Sequence, residues 1–208
     1  MVASSVADAQ LASPQPLYLV FAGVNGAGKS TLYRSGIWHS CAGGCAGSLG
    51  RVNPDEIALA RGCGPVEAGK IALAQIAEYF DAGASFCQET TLCGRSAANN
   101  IHKARELGYR VVVLYVGLAS PELAIERIKH RVSVGGHDIH PDTVRRRYDA
   151  SIVALSKVVH ECDEAVLFDN TTLLCTIARW RHGTLRWWGG LKAANSWLPD
   201  ALSRGVWG

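Results

Sequence analysis

The sequence predicts an α/β fold: a parallel sheet flanked by helices. Three observations predict it. The apolar run Leu17-Tyr18-Leu19-Val20-Phe21-Ala22 leads straight into a glycine-rich turn and a helix start at Thr31, as in a crossover unit. Strand-like and helix-like segments then alternate along the chain, which calls for parallel pairing. Val111, Val112, Val113, Leu114 and Val116 form a near-continuous apolar run, which suits a central strand covered on both faces.

The elements follow in order. Residues 40–50 form a loose insert rich in Gly and Cys. Arg51-Val52-Asn53 reads as a short strand ending at Pro54-Asp55. Ile71, Leu73, Ile76, Tyr79 and Phe80 mark a helix stopped by Gly83. Residues 85–88 form a third strand leading into Glu89-Thr90-Thr91, and a helix over 98–107 ends at Gly108. Residues 109–116 are the clearest strand. Pro121 opens a helix to about Val132, and Gly135-Gly136 breaks it. Pro141 opens a longer helix with Val144, Tyr148, Ile152, Leu155 and Val159 at helical spacing. Residues 164–169 give the last strand of the main domain. Leu173 to Ile177 and Thr184 to Trp188 form a small C-terminal β-hairpin extension around His182-Gly183.

The domain reading is a disordered leader over 1–16, one main domain over 17–170 and an extension over 171–208 packed on it. Five of the six tryptophans lie from Trp180 onward. A partner surface or a small satellite core accounts for them, and the satellite core is favoured.

A chain of 208 residues is long enough for one sizeable core. Its net charge of +3 is too small to argue for nucleic acid or a membrane surface. No apolar run reaches the ~18 residues of a membrane span. The leader lacks a basic, apolar signal pattern, so a cytoplasmic location is expected. The seven cysteines are then expected as free thiols. Cys41 and Cys45, with His39 and Cys63 nearby, raise a zinc site. Their spacing lacks a second matching pair, which favours a plain glycine-rich loop.

Gly23-Val24-Asn25-Gly26-Ala27-Gly28-Lys29-Ser30-Thr31 fits G-x-x-x-x-G-K-[ST]. It makes the fold P-loop NTPase-like. The glycines let successive N–H groups converge on a phosphate, Lys29 adds a charge for the outer phosphates, and the Ser30 hydroxyl suits Mg²⁺. The chain lacks an L-S-G-G-Q signature and an N-K-x-D motif. That leaves a small ATP-dependent kinase ahead of transporter ATPases and switch GTPases.

Phosphoryl transfer needs an aligned acceptor, a base and cations. Asp55, after the second strand, is a candidate base. Asn53-Pro54-Asp55 equally suits a turn with a helix cap. Glu89 is a candidate for holding an acceptor hydroxyl or a Mg²⁺-bound water, or another cap. Arg127 and Arg131 share a helix face opposite Ile125, Ile128 and Val132, and Arg145, Arg146 and Arg147 follow the Gly-Gly break. Each alone suits a solvated face. As a group they suit a helical lid over about 121–150 that brings arginine to the γ-phosphate.

Taken together these motifs resemble the zeta-toxin family of bacterial kinases, particularly its short members. The likeness rests on residues 19–32, Arg51-Val52-Asn53-Pro54-Asp55-Glu56-Ile57, Gln88-Glu89-Thr90-Thr91-Leu92, Gly94-Arg95 and Gly108-Tyr109-Arg110-Val111. It continues through Tyr115-Val116-Gly117, Glu126-Arg127-Ile128, Arg131-Val132, Gly135-Gly136-His137 and Arg145-Arg146-Arg147-Tyr148. The resemblance implies ATP- and Mg²⁺-dependent phosphorylation of a UDP-activated amino sugar, UDP-N-acetylglucosamine, and a small antitoxin partner. It implies Asp55 as base, Lys29 and the lid arginines on ATP phosphates, and Glu89 on the acceptor with Asn53, Thr90 and Thr91. Arg131 is the preferred lid arginine, ahead of Arg127, Arg146 and Arg147. Two other readings stay open: a kinase for another small hydroxylated metabolite, and an ATP-binding partner module without catalysis.

Overall fold

The computed structural model describes residues 15–41, 49–136, 138–189, 197, 198 and 202. Most of the leader, residues 42–48 of the insert, His137 and most of the tail beyond Gly189 lie outside the described residues.

Among the described residues seven strands form one sheet in the order β2-β3-β1-β4-β5-β6-β7. They are β1 (Leu17–Ala22), β2 (Gly50–Val52), β3 (Phe86–Thr90), β4 (Arg110–Gly117), β5 (Glu164–Asp169), β6 (Cys175–Arg181) and β7 (Thr184–Trp188). The first five pair in parallel, and β6 and β7 add on in antiparallel fashion. All six residues of β1 and Val111–Gly117 of β4 are buried. That two-sided burial is why these segments read as unbroken apolar runs.

Among the described residues six α-helices accompany the sheet: α1 (Lys29–Ser35), α2 (Pro54–Arg61), α3 (Pro65–Asp81), α4 (Arg95–Glu106), α5 (Pro121–Ser133) and α6 (Pro141–Glu161). Helices α2, α3, α5 and α6 each start with Pro in the first turn, where its missing N–H costs nothing. The expected helix starts at Pro121 and Pro141 hold. The same signal at Pro54 and Pro65 opens two helix starts that the periodicity does not announce. α2 buries no residue, so it carries no apolar stripe to read. α1 starts at Lys29, two residues before the expected Thr31, and α4 at Arg95, three before residue 98.

The C-terminal hairpin turns at His182-Gly183 as expected, but its first strand runs Cys175–Arg181. It pairs with β5 and prolongs the main sheet. Trp180 and Trp197 are buried in the main core, which replaces the expected satellite core. The described cysteines Cys41, Cys63, Cys87, Cys93, Cys162 and Cys175 are free thiols. Burial pushes the Cys87 thiol up to about 11 and Cys162 up to about 12, so both stay protonated and unreactive. Among the described residues no group of three or more His, Cys, Asp or Glu side chains is arranged for a metal ion; Cys45 of the considered zinc site lies outside them. No helix among the described residues is long and apolar enough to cross a membrane.

Candidate active site

The register of three neighbouring strands builds the site. Phe21 of β1 pairs with Glu89 of β3, and Val52 of β2 pairs with Gln88. Glu89 therefore sits level with the start of the glycine loop on one side and Asn53 on the other. These are the carboxyl ends of parallel strands, where ligands bind in open α/β sheets.

The loop between β1 and α1 needs its glycines. Gly23 has φ +134°, and a Cβ there would stand 2.2 Å from the Val116 carbonyl oxygen. Gly28 has φ +100°, and its Cβ would meet the Asn170 amide at 2.4 Å. The Asn170 side chain instead donates to the Ala27 carbonyl at 2.8 Å, fixing the loop from behind. Within the loop, Val24 and Ala27 are buried.

Lys29 folds back into this loop. Its ammonium donates to the Gly23 carbonyl at 2.9 Å and the Val24 carbonyl at 3.1 Å. Burial holds its pKa below the ordinary lysine value. Glu89 and Asp55 pull it part of the way back up, and Arg131 and Arg147 push it down. A cation with no carboxylate in direct contact is one that an incoming anion relieves.

Glu89 is the hub of the cleft. The Ser30 hydroxyl lies 3.1 Å from each of its carboxylate oxygens. Arg51 donates to Glu89 at 2.9 Å and Asn53 donates at 3.1 Å. Arg51 also grips Glu56 at 2.8 Å and lies 3.7 Å over the Tyr33 ring. Asn53 does two jobs at once: its Oδ1 caps α2 by accepting from the Asp55 N–H at 3.0 Å. The helix-cap reading of Asn53-Pro54-Asp55 is thus correct for Asn53, and the same cap sets Asp55 in the first turn of α2 facing the cleft.

Lys29, Asp55, Glu89, Asn53, Thr90 and Thr91 line one cleft of about 390 Å³, with Asn25 and Arg147 at its rim. An adjoining hollow holds Gly26, Gly28, Ser30, Thr31, Arg127 and Arg131, again with Lys29 and Asp55. Lys29 and Asp55 therefore face the same space. Thr90 Oγ1 accepts from the Leu92 N–H at 3.1 Å, and Thr91 Oγ1 lies 3.0 Å from the Cys93 sulfur. Both hydroxyls have local partners.

The arginines divide. Arg131 lines the loop-side hollow, and Arg127 lines it while donating to the Thr171 carbonyl at 3.1 Å. Ile128 lines the same hollow between them, not the opposite face. Arg147 donates to the Asn25 side chain at 3.0 Å, joining α6 to the glycine loop. Arg146, one residue earlier, is exposed and lines none of these spaces. The sequence reading gave no role to Arg51 or Asn170; both act through contacts across the sheet that no local motif encodes.

No family model matches the chain. A Haemophilus influenzae protein, described only as uncharacterized, is 31% identical over 132 residues, 62% of this chain and 91% of that one. This chain belongs to the same family. Solved structures similar in fold are less similar in sequence. The solved AvrRxo1-ORF1:AvrRxo1-ORF2 complex with sulphate ions matches with a TM-score of 0.62 at 17% identity, over 83% of this chain and 60% of that one. The same complex was also solved with ATP. A structure from the PezAT chromosomal toxin–antitoxin system of Streptococcus pneumoniae matches with a TM-score of 0.54 at 16% identity, over 93% of this chain and 85% of that one. These matches show the fold, an α/β one of the P-loop NTPase-like kind. The chain spans about 60% of the length of the first of them.

Proposed function

We propose that this protein is an ATP-dependent kinase that phosphorylates a hydroxyl of a UDP-activated amino sugar, UDP-N-acetylglucosamine. The observation that carries the reading is the shared cleft of Lys29 and Asp55. A phosphate-binding lysine and a carboxylate facing one space are what in-line transfer to an alcohol requires.

In this reading the loop N–H groups and Lys29 hold the ATP phosphates, through Gly23, Val24, Asn25, Gly26, Ala27, Gly28, Ser30 and Thr31. Asp55 takes the proton of the acceptor hydroxyl. The acceptor oxygen forms its bond to the γ-phosphorus as the bridging β–γ P–O bond breaks, and ADP leaves with that electron pair. Arg131 meets the charge spread over the transferring oxygens. Arg147 holds α6 to the glycine loop and Arg127 holds α5 to Thr171, so both keep the proposed lid helices beside the phosphates. Arg146 serves ATP only if α6 turns. Asn53, Glu89, Thr90 and Thr91 hold the acceptor.

The donor set fits Mg²⁺, since the Ser30 hydroxyl and the Glu89 carboxylate present hard oxygens side by side. Ser30 and Glu89 would hold it, and the ion would supply charge neutralisation of the phosphates. The PezAT likeness supports an antitoxin as partner; a cytoplasmic setting belongs to the same reading.

The test is ATP consumption by the purified chain, with UDP-N-acetylglucosamine as the only acceptor. Turnover that depends on the sugar nucleotide supports the reading. A metabolite extract scanned for a gain of one phosphoryl group covers other acceptors. If only a different hydroxylated metabolite gains phosphate, the kinase assignment stands and the UDP-sugar falls. ATP binding without transfer to anything would leave a binding module.

A further inference from the structure

Helix α3 forms one wall of the cleft and carries a glycine that its packing does not need. A Cβ built on Gly69 meets nothing within 4 Å, and its backbone lies outside the left-handed region. Glycine inside a helix is costly relative to alanine. Neither a close approach nor a positive φ accounts for it here, unlike Gly23 and Gly28 in the loop.

Gly69 lines the cleft that holds Lys29, Asp55 and Glu89. Val66, three residues before it, and Leu73, four after it, line the same wall and share its helix face. These two apolar side chains are 75% and 46% exposed. Leu73 helps to mark the helix in the sequence, yet it faces the cleft and not the core. Two exposed apolar side chains thus flank a missing one, leaving a shallow apolar notch opposite the carboxylates.

We infer that Gly69 determines acceptor specificity: its bare backbone admits the ring of the acceptor, whose apolar face rests between Val66 and Leu73. The inference rests on the kinase reading above. It predicts opposite signs for stability and acceptor use. Alanine restores helix propensity and removes open space; leucine fills the notch.

The experiment compares wild type, Gly69→Ala and Gly69→Leu by thermal melting, ATP affinity and phosphorylation of UDP-N-acetylglucosamine and of a metabolite extract. Gly69→Ala is expected to melt about 2–4 °C higher. Its KM for the acceptor is expected to rise about tenfold, with ATP affinity held. Gly69→Leu is expected to remain folded and lose acceptor phosphorylation. A leucine variant that phosphorylates its acceptor at wild-type KM overturns the inference. A product formed from an acceptor other than the sugar nucleotide, and lost in the leucine variant, upholds the inference and removes only the UDP-sugar. Wild type that phosphorylates nothing overturns both.

Discussion

The Ser30 hydroxyl lies 3.1 Å from both carboxylate oxygens of Glu89. This one contact ties the glycine loop to the end of β3 across the cleft. Glu89→Gln weakens the Arg51 and Ser30 contacts together while Glu56 still holds Arg51. A loss of about 1–3 kcal/mol in stability is expected, with a raised Mg²⁺ requirement for turnover. Denaturant melts and a Mg²⁺ titration of the rate measure the two effects. An unchanged Mg²⁺ dependence would remove Glu89 from the metal's surroundings.

Asp55→Asn keeps the shape of the first turn of α2 and removes the proposed base. A fall in kcat of about 10²–10⁴ is expected, with little change in KM for ATP. Steady-state kinetics decide it. Full activity in the asparagine protein excludes Asp55 as the proton acceptor.

Lys29 gives a pH prediction. Its amine holds its proton to about pH 10.4 in the unfolded chain and releases it earlier when folded, chiefly through burial. Between those two values the unfolded chain binds more protons, so the stability of the ligand-free protein rises with pH there. A polyphosphate favours the charged amine, so ATP binding takes up a proton in that window. Affinity then falls as pH climbs past the depressed value. Calorimetry in buffers of different ionisation enthalpy reads the proton uptake, and Lys29→Met is expected to abolish it. Uptake that persists in the methionine variant would assign it elsewhere.

The arginines separate by position. Arg131→Ala is expected to lower kcat by about 10³ or more if it meets the transferring phosphoryl group. Arg146→Ala, on the exposed side of α6, is expected to stay within about twofold, as surface substitutions usually do. Equal losses at both positions would mean that α6 turns during the reaction.

What the sequence made legible is what local pattern encodes. β1, the glycine loop and β4 were readable because two-sided burial and phosphate binding each leave a continuous signature. α6 was readable because Val144, Tyr148, Leu155 and Val159 repeat on one buried face. α2 was not, because it buries nothing and its only signal is Pro54 after the Asn53 cap. Glu89 was visible as a candidate, but its grip on Ser30, Arg51 and Asn53 depends on the register of β2, β3 and β1. The Arg147–Asn25 contact spans 122 residues, and nothing local encodes such a distance.

The indole of Trp197 donates to Asp169 at 2.7 Å. Its ring occupies the space that a Cβ on Gly117 would take, 2.1 Å away. Asp169 ends β5, and its neighbour Asn170 steadies the glycine loop. Trp197 follows the end of β7 by nine residues, so every described strand of the sheet precedes the tryptophan that packs against Gly117 and Asp169. A chain cut before Trp197 would keep every described strand of the sheet yet lose the indole that braces the end of β5, beside the Asn170 clamp on the glycine loop.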